Sequence, residues 1–393
     1  MGVDKTYKRA LKLNLPIGQS AFLWGARKTG KSTYLKKHFS QSVVYDLLKS
    51  DLFNAFMKAP HEFREEVLSL TKDQLKHPVI VDEVQKIPQL LDEVHWLIEN
   101  SDAYFILCGS SARKLKHASV NMLGGRAWRY TFYPLIYLEV PDFDLLRALN
   151  HGLIPSHYVS SNPKRFLQAY VQDYLKQEIQ EEGLVRNLPN FARFLDSLAF
   201  SHGELTNFSN IARDCGIDSK TVKEYYQILV DTLLGYFVFP YSKKRTRDII
   251  TSMPKFYLFD VGLANYLAKR SIADLKGAEA GQCFEQFIFM ELMAFRDYCE
   301  RDFNIEYWRT KSGLEVDFIL GDADVAIEVK LTDRIDKAHL KGLIAFNEEH
   351  RVKQSYLVCH IPRARKIQVS DQLSIHALPW EMFLKKLWAG EIK

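Results

Sequence analysis

The apolar run Ala21-Phe22-Leu23-Trp24 opens directly onto Gly25-Ala26-Arg27-Lys28-Thr29-Gly30-Lys31-Ser32-Thr33, after which the chain continues as an amphipathic helix. From Gly25 to Ser32 the spacing G-x-x-x-x-G-K-[ST] is matched without a gap. Placement constrains the fold more than the match does, because such a loop needs a buried strand before it and a helix behind it. Glycines let backbone N–H groups converge on phosphate oxygens, and the helix presents its positive end to them. Lys31 then suits neutralisation of β and γ phosphates, and Ser32 suits ligation of Mg²⁺. The competing reading is a strand-to-helix turn that merely ends in Lys-Ser.

Short apolar runs at 21–24, 43–46, 79–82, 104–108 and 129–132 alternate with amphipathic stretches, which predicts a parallel α/β sheet. Two of these runs supply what the loop lacks. The run 79–82 ends in Asp82-Glu83, about 50 residues beyond Lys31. Asp82 suits the Mg²⁺ shell, and Glu83 suits orientation and deprotonation of an attacking water. The run 104–108 delivers Ser110 and Ser111, whose hydroxyls suit contact with a terminal phosphate or simply close a Gly-Ser turn. Arg126 follows a glycine pair in MLGGRAWRY. It is either a finger for a neighbouring subunit's nucleotide or a surface arginine, and Arg113 competes with it for the first role.

A chain of 393 residues suggests two or three domains. A net charge of +5 allows an acidic partner without requiring one. The five cysteines, at 108, 215, 283, 299 and 359, are scattered and form no CxxC pair, which predicts reduced thiols and no zinc framework. The opening MGVDKTYKRALKLNLP lacks the apolar segment of a secretory leader, and no run reaches the roughly 18 apolar residues that span a bilayer. A cytoplasmic protein is expected.

Beyond residue 140 the alternation fades into helices, including RFLQAYVQDYLKQEIQEEG with a glycine at its end. In IARDCGIDSKTVKEYYQIL two helices flank a Cys-Gly turn, and a strand pair follows: a winged-helix outline. Ile211, Ile217, Val222, Tyr225 and Leu229 would form its core. The second helix, capped near Asp218 or Ser219, would turn Ser219, Lys220 and Lys223 outward. Lys243, Lys244, Arg245 and Arg247 would sit in the wing and meet phosphates. An interdomain or protein-binding module with ordinary surface lysines fits the same residues.

In GLEVDFILGDADVAIEVKL two alternating strands flank Gly321-Asp322-Ala323-Asp324, which predicts a hairpin. If Leu320 pairs with Val325, then Asp317 lies opposite Glu328 and Glu315 opposite Lys330, all on one face. A one-residue slip would turn charge into the core, so the apolar pattern selects this register or one two residues away. Opposed carboxylates repel unless a cation joins them, and oxygen donors suit Mg²⁺ or Mn²⁺. Lys330 would stabilise charge on a phosphate. The alternative is a solvated face on which Lys330 pairs with Glu315 and Glu328.

Taken together, GARKTGKST, VIVDEVQKIP, CGSSARKL and LGGRAWRYTFYPL resemble the AAA+ ATPases of bacteria and archaea that carry a C-terminal domain of unknown function. KFYLFDVGLANYL, FEQFIFMEL and EVDFIL with AIEVK resemble that domain, so the likeness covers nearly the whole chain. The Asp…Glu-x-Lys hairpin resembles the PD-(D/E)XK nuclease core, in which a further acidic residue often comes from the preceding helix, and Glu285 occupies that place. The resemblance implies an α/β protein: a P-loop NTPase three-layer core in an ATPase domain over 1–140, a helical and winged-helix region over 141–255, and a nuclease-like domain over 256–393. It implies ATP and Mg²⁺ as cofactors, a second Mg²⁺ or Mn²⁺ on Glu285, Asp317 and Glu328, and a homo-oligomer, in ring form where a neighbour's arginine completes the site. The expected load is DNA. An ATP-controlled switch for a protein partner, with an inactive nuclease-like domain, is the alternative; a nuclease whose ATPase serves only as an assembly clamp is a third reading. No membrane partner is expected.

Overall fold

Continuous apolar runs, with no polar residue alternating, require strands covered on both faces. The computed structural model shows such cover for the inner strands of the first sheet. It describes residues 7–111, 123–175, 187–243 and 252–392. The chain divides into two compact units, Met1–Leu135 with Ile228–Leu234, and Ile136–Gln227 with Gly235–Lys393.

In the first unit β1 (Ser20–Trp24), β2 (Val44–Asp46), β3 (Val79–Asp82), β4 (Phe105–Gly109) and β5 (Ala127–Thr131) form one sheet in the order β2-β3-β4-β1-β5. Every pairing is parallel. Each strand lies within one or two residues of its expected run. Strands β1, β3 and β4 are buried along their whole length, as inner strands must be. Helix α1 (Lys31–His38) follows β1 through the glycine loop. Helices α2 (Ser50–Lys58), α3 (Pro60–Leu68) and α4 (Leu90–Asn100) place Phe56, Phe63, Leu90 and Leu97 in a core with Phe22, Val81 and Phe105. Strand β4 separates β1 from β3, so the two strands that carry the glycine loop and the acidic pair are not neighbours.

The second unit opens with α5 (Leu145–His151) and α6 (Pro163–Ala169), which runs into a wider turn at Tyr170–Leu175. The glycine expected to end that helix, Gly183, lies outside the described residues. Then come α7 (Leu188–Ser201), a bridge between Leu205 and Lys255, α8 (Phe208–Cys215), α9 (Ser219–Asp231) and the hairpin β6 (Gly235–Pro240) with β7 (Lys255–Leu258). Gly216 closes α8 with φ 65°, and Asp218 starts α9 by accepting the backbone N–H groups of Lys220 and Thr221, both at 2.9 Å. Ile211, Val222, Tyr225 and Leu229 are buried as expected and Ile217 partly so, while Ser219, Lys220 and Lys223 are exposed.

After α10 (Val261–Leu267) and the long α11 (Gly277–Tyr298) come β8 (Ile305–Arg309), β9 (Glu315–Leu320), β10 (Val325–Lys330), α12 (Lys341–Glu349), β11 (Gln354–Cys359), β12 (Arg365–Gln368), β13 (Ser374–Pro379) and α13 (Trp380–Trp388). The sheet order is β12-β13-β11-β10-β9-β8-β6-β7. Two features were not in the sequence reading. The β6–β7 hairpin continues this sheet through Phe239↔Glu306 and Pro240↔Tyr307, so a division at 255/256 would fall at the first residue of β7. The edge strand β12 and its neighbour β13 also escaped notice, because RKIQ is mostly charged and exposed and SIHALP ends in proline.

Candidate functional site

The β9–β10 register is the predicted one: Val325 faces Leu320, Ala326 faces Ile319 and Ile327 faces Phe318. The parallel sheet of the first unit likewise puts the ends of β1, β3 and β4 on one edge, and there the expected residues meet. Gly25 leaves β1 against β5. A Cβ on it would stand 2.3 Å from the Phe132 carbonyl oxygen, so no other residue fits. Gly30, with φ 101°, starts α1 in the left-handed region. Lys31 is buried and its Nζ donates to the carbonyls of Gly25 at 2.7 Å and Ala26 at 3.0 Å. Thr29 is buried and donates to the Ala26 carbonyl at 2.8 Å, whereas Lys28 and Thr33 are exposed and Arg27 is half-buried. Lys36 and Lys37 lie on the solvent side of α1.

Ser32 Oγ donates to Asp82 Oδ2 at 2.6 Å across the edge. Glu83 turns the chain out of β3 with φ 59°, a left-handed backbone that a non-glycine residue adopts only under constraint. Its carboxylate accepts from Gln85 Nε2, which also donates to Ser110 Oγ at 3.1 Å. Gln85 is buried and wedged beside Gly109, where a Cβ would stand 2.2 Å from Gln85 Oε1. Cys108 is fully buried in the strand position paired with Asp82; burial first, then the Asp82 charge, hold its thiol well above the ordinary range, so it stays protonated.

Two residues that sequence reasoning did not single out are therefore part of this edge. Gln85 links Glu83 to Ser110. Arg9, from the segment ahead of β1, donates to the Thr29 carbonyl at 2.7 Å and to the Tyr133 carbonyl at 2.6 Å, with its guanidinium over the Phe132 ring at 4.1 Å. Only the QKIP context beside Glu83 hinted at the first, and nothing local marked the second.

Arg126 lies elsewhere. It precedes β5, whose first residue pairs with Ser20, so it sits at the amino edge of the sheet, about 15 Å of strand from the loop. It is exposed and forms an ion pair with Glu99. Arg113 lies outside the described residues, as do Lys244, Arg245 and Arg247. Lys243 is paired with Asp322, which also accepts from Tyr241 at 3.0 Å.

In the second unit Glu285 from α11, Glu315 and Asp317 from β9, and Glu328 and Lys330 from β10 converge with a residue that was not expected there. Lys255, at the start of β7 and almost completely buried, places Nζ 3.0 Å from Glu285 Oε1, 2.6 Å from Glu315 Oε1 and 3.9 Å from Asp317 Oδ1. Lys330 Nζ lies 2.7 Å from Glu328 Oε1 and 3.5 Å from Asp317 Oδ2. Asp317 Oδ2 also takes the Val329 N–H at 2.8 Å, and Tyr257 donates its hydroxyl to Glu285. Burial pushes the Glu285 and Glu328 carboxyls up. Burial opposes the charge of Lys255, yet the surrounding Glu285, Tyr257 and Glu315 hold its pKa well above the ordinary lysine value. Glu315 is bound by Lys255 and by Arg309 at 3.2 Å, not by Lys330.

The two edges answer differently to a cation. Ser32 and Asp82 present hydroxyl and carboxylate oxygens of the kind Mg²⁺ takes, beside a loop shaped for phosphate. Among the described residues, no group of three or more His, Cys, Asp or Glu side chains is arranged to hold a metal. Glu285, Asp317 and Glu328 are engaged by ammonium groups instead, so the expected second metal does not fit them as they stand.

Residues 18–140 match the family described as AAA domain, 142–274 a domain of unknown function (DUF8612), and 280–383 a further domain of unknown function (DUF4143). Uncharacterized proteins of Mycobacterium tuberculosis and Mycobacterium bovis are each 24% identical over 308 residues, covering 72% of this chain and 68% of their own. A Pyrococcus horikoshii signal transduction ATPase with numerous domains, carrying a tetratricopeptide repeat sensor, aligns with 71% of this chain and 45% of its own at 11% identity and a TM-score of 0.18. Among the described residues no helix is long and apolar enough to cross a membrane. The glycine loop, parallel sheet and acidic strand end thus lie in a region, residues 18–140, that is similar to the AAA domain family, and two domains of unknown function, 142–274 and 280–383, follow it.

Proposed function

We propose that the chain hydrolyses Mg-ATP at the carboxyl edge of its parallel sheet and uses the cycle to control how its second unit engages double-stranded DNA. The observation that carries the ATPase reading is the 2.6 Å contact between Ser32 and Asp82, with Glu83 and Ser110 joined beside it through Gln85. Lys31 and the loop N–H groups would bind the phosphates. Mg²⁺, when bound, would be held by Ser32 and Asp82 and would neutralise charge on the β and γ phosphates. Glu83 would take a proton from the attacking water, and Ser110 would contact the γ-phosphate.

Arg126 is too far from its own loop to act there, so its part would be played on a neighbouring copy of the chain, with Glu99 holding it between encounters. DNA is the favoured load because α9, capped by Asp218, turns Ser219, Lys220 and Lys223 to solvent in a helix-turn-helix followed by a hairpin. No cleavage step is assigned to the C-terminal carboxylates.

Turnover would be measured with and without duplex DNA at low salt. The expected outcome is DNA-stimulated hydrolysis that is lost in Lys31→Ala and Glu83→Gln and reappears when Arg126→Ala is mixed with Lys31→Ala, since each supplies what the other lacks. DNA-independent turnover with no DNA binding would remove DNA from the scheme and leave the protein-partner switch. Failure of the mixture to recover would remove the shared site.

A further inference from the structure

Four carboxylates converge in the second unit, and the sequence pattern around three of them suggests a divalent metal. The geometry gives that place to a side chain. Lys255 reaches Glu285, Glu315 and Asp317 from β7, a strand that the sheet order puts at the far end from β10 and β9 by way of β8 and β6. Lys330 covers the fourth, Glu328, and shares Asp317 with Lys255. Both Asp317 oxygens are engaged, one by Lys330 and the Val329 N–H and the other facing Lys255. Glu328 Oε2 is buried and, among the described residues, has no hydrogen-bond partner.

We propose that the Lys255 ammonium is the resident cation of a nuclease-like carboxylate site, standing where a divalent metal would otherwise sit. The site is then latent: metal binding and metal-dependent cleavage are blocked while Lys255 is present, and removing the ammonium opens a hard-cation site on Glu285, Asp317 and Glu328. An ammonium and a divalent ion compete here because they need the same carboxylate oxygens and repel one another at such distances. A charged lysine so deeply buried is held by these carboxylates and by the Tyr307 ring, 5.7 Å away, and Glu285 in turn loses its ammonium partner when it is removed, while Lys330 and Arg309 still pair the others. The inference uses residues of the second unit alone and does not depend on the ATPase reading.

The test is Mn²⁺ binding to the full chain without nucleotide, followed by electron paramagnetic resonance, for the wild type, Lys255→Met and Lys255→Met/Asp317→Asn. Lys255→Met should gain one Mn²⁺ site at least 10-fold tighter than any in the wild type, and Asp317→Asn should abolish the gain. A folded Lys255→Met that gains no site would overturn the proposal. So would wild-type protein that already binds Mn²⁺ in an Asp317-dependent way, or that cleaves duplex DNA with Mn²⁺ and loses the activity in Asp317→Ala. Because Lys255→Met uncovers several carboxylates, Lys255→Met/Glu315→Gln, which removes one charge of each sign, carries the same measurement. Folding of either variant only when Mn²⁺ is added supports the proposal, and failure of both to fold with or without Mn²⁺ contradicts it.

Discussion

Gln85 hydrogen-bonds both Glu83 and Ser110, and so sets the direction of the group proposed as the base. Removing a general base costs about 10²- to 10⁴-fold in rate, so Glu83→Gln should lower kcat within that range. Gln85→Ala should lower kcat by about 10-fold while KM for ATP changes less than about twofold, since it alters orientation and not phosphate contact. An equal rise in KM would assign Gln85 to binding instead. Gly25→Ala would drive a Cβ into the Phe132 carbonyl, and thermal denaturation should show a loss of about 1–3 kcal/mol, with nucleotide affinity falling as the loop shifts. Lys31, Ser32, Asp82 and Glu83 were legible because each belongs to a short motif whose spacing carries its chemistry. Gln85, Arg9 and Lys255 were not, because a residue's contact with a strand far away in the chain leaves no mark on its own neighbours.

At the scale of elements, the hairpin register was legible because period-two alternation forbids a one-residue slip. Strands β9 and β10 keep the predicted alignment from Leu320 and Val325 to Phe318 and Ile327, and beyond it Asp317 meets the Val329 backbone and two lysines where a metal was expected. Helix α9 was likewise announced by its cap. Asp218→Ala removes the acceptor for two backbone N–H groups and should cost about 1 kcal/mol, read as a lower denaturant midpoint, while Asp218→Asn should retain most of it. If the alanine variant proved neutral, the cap would not be what fixes the start of α9. Strand β12 escaped notice for a related reason: an edge strand needs little apolar surface, so its pairing is decided by the neighbour it meets, here β13, which lies between β12 and β11.

Across the molecule, the second unit is tied together by buried polar groups that sequence spacing cannot connect. Glu291 on α11 accepts the Tyr137 N–H at 2.6 Å and the Trp388 indole N–H at 2.8 Å, and burial pushes its carboxyl up to about 8. The folded protein therefore keeps this proton until about pH 8, whereas the unfolded chain releases it near 4.5. Stability from this group is present at acid pH and is lost as pH rises through that window, by roughly 1.4 kcal/mol per pH unit. Glu291→Gln should flatten that decline in urea denaturation between pH 5.5 and 8, and an unchanged slope would exclude Glu291 as its source. His202 works in the opposite sense. Burial lowers its pKa to about 4, its ring accepts the Leu258 N–H at 3.3 Å and lies 2.8 Å from the Gln286 amide oxygen, and its contribution is lost as pH falls below its unfolded value. By itself the sequence determined the parallel core, the nucleotide loop and the acidic strand end, and it narrowed the hairpin register to steps of two residues and the cap of α9 to Asp218 or Ser219, because each follows from local spacing and the burial of an apolar face. Only the tertiary structure decided that β4 separates the loop from the acidic strand, that the β6–β7 hairpin extends the C-terminal sheet, and that Lys255 sits among the carboxylates. Strand order and long-range ion pairs depend on which surfaces meet after folding, and a cation in place of a metal is visible only once those surfaces have met.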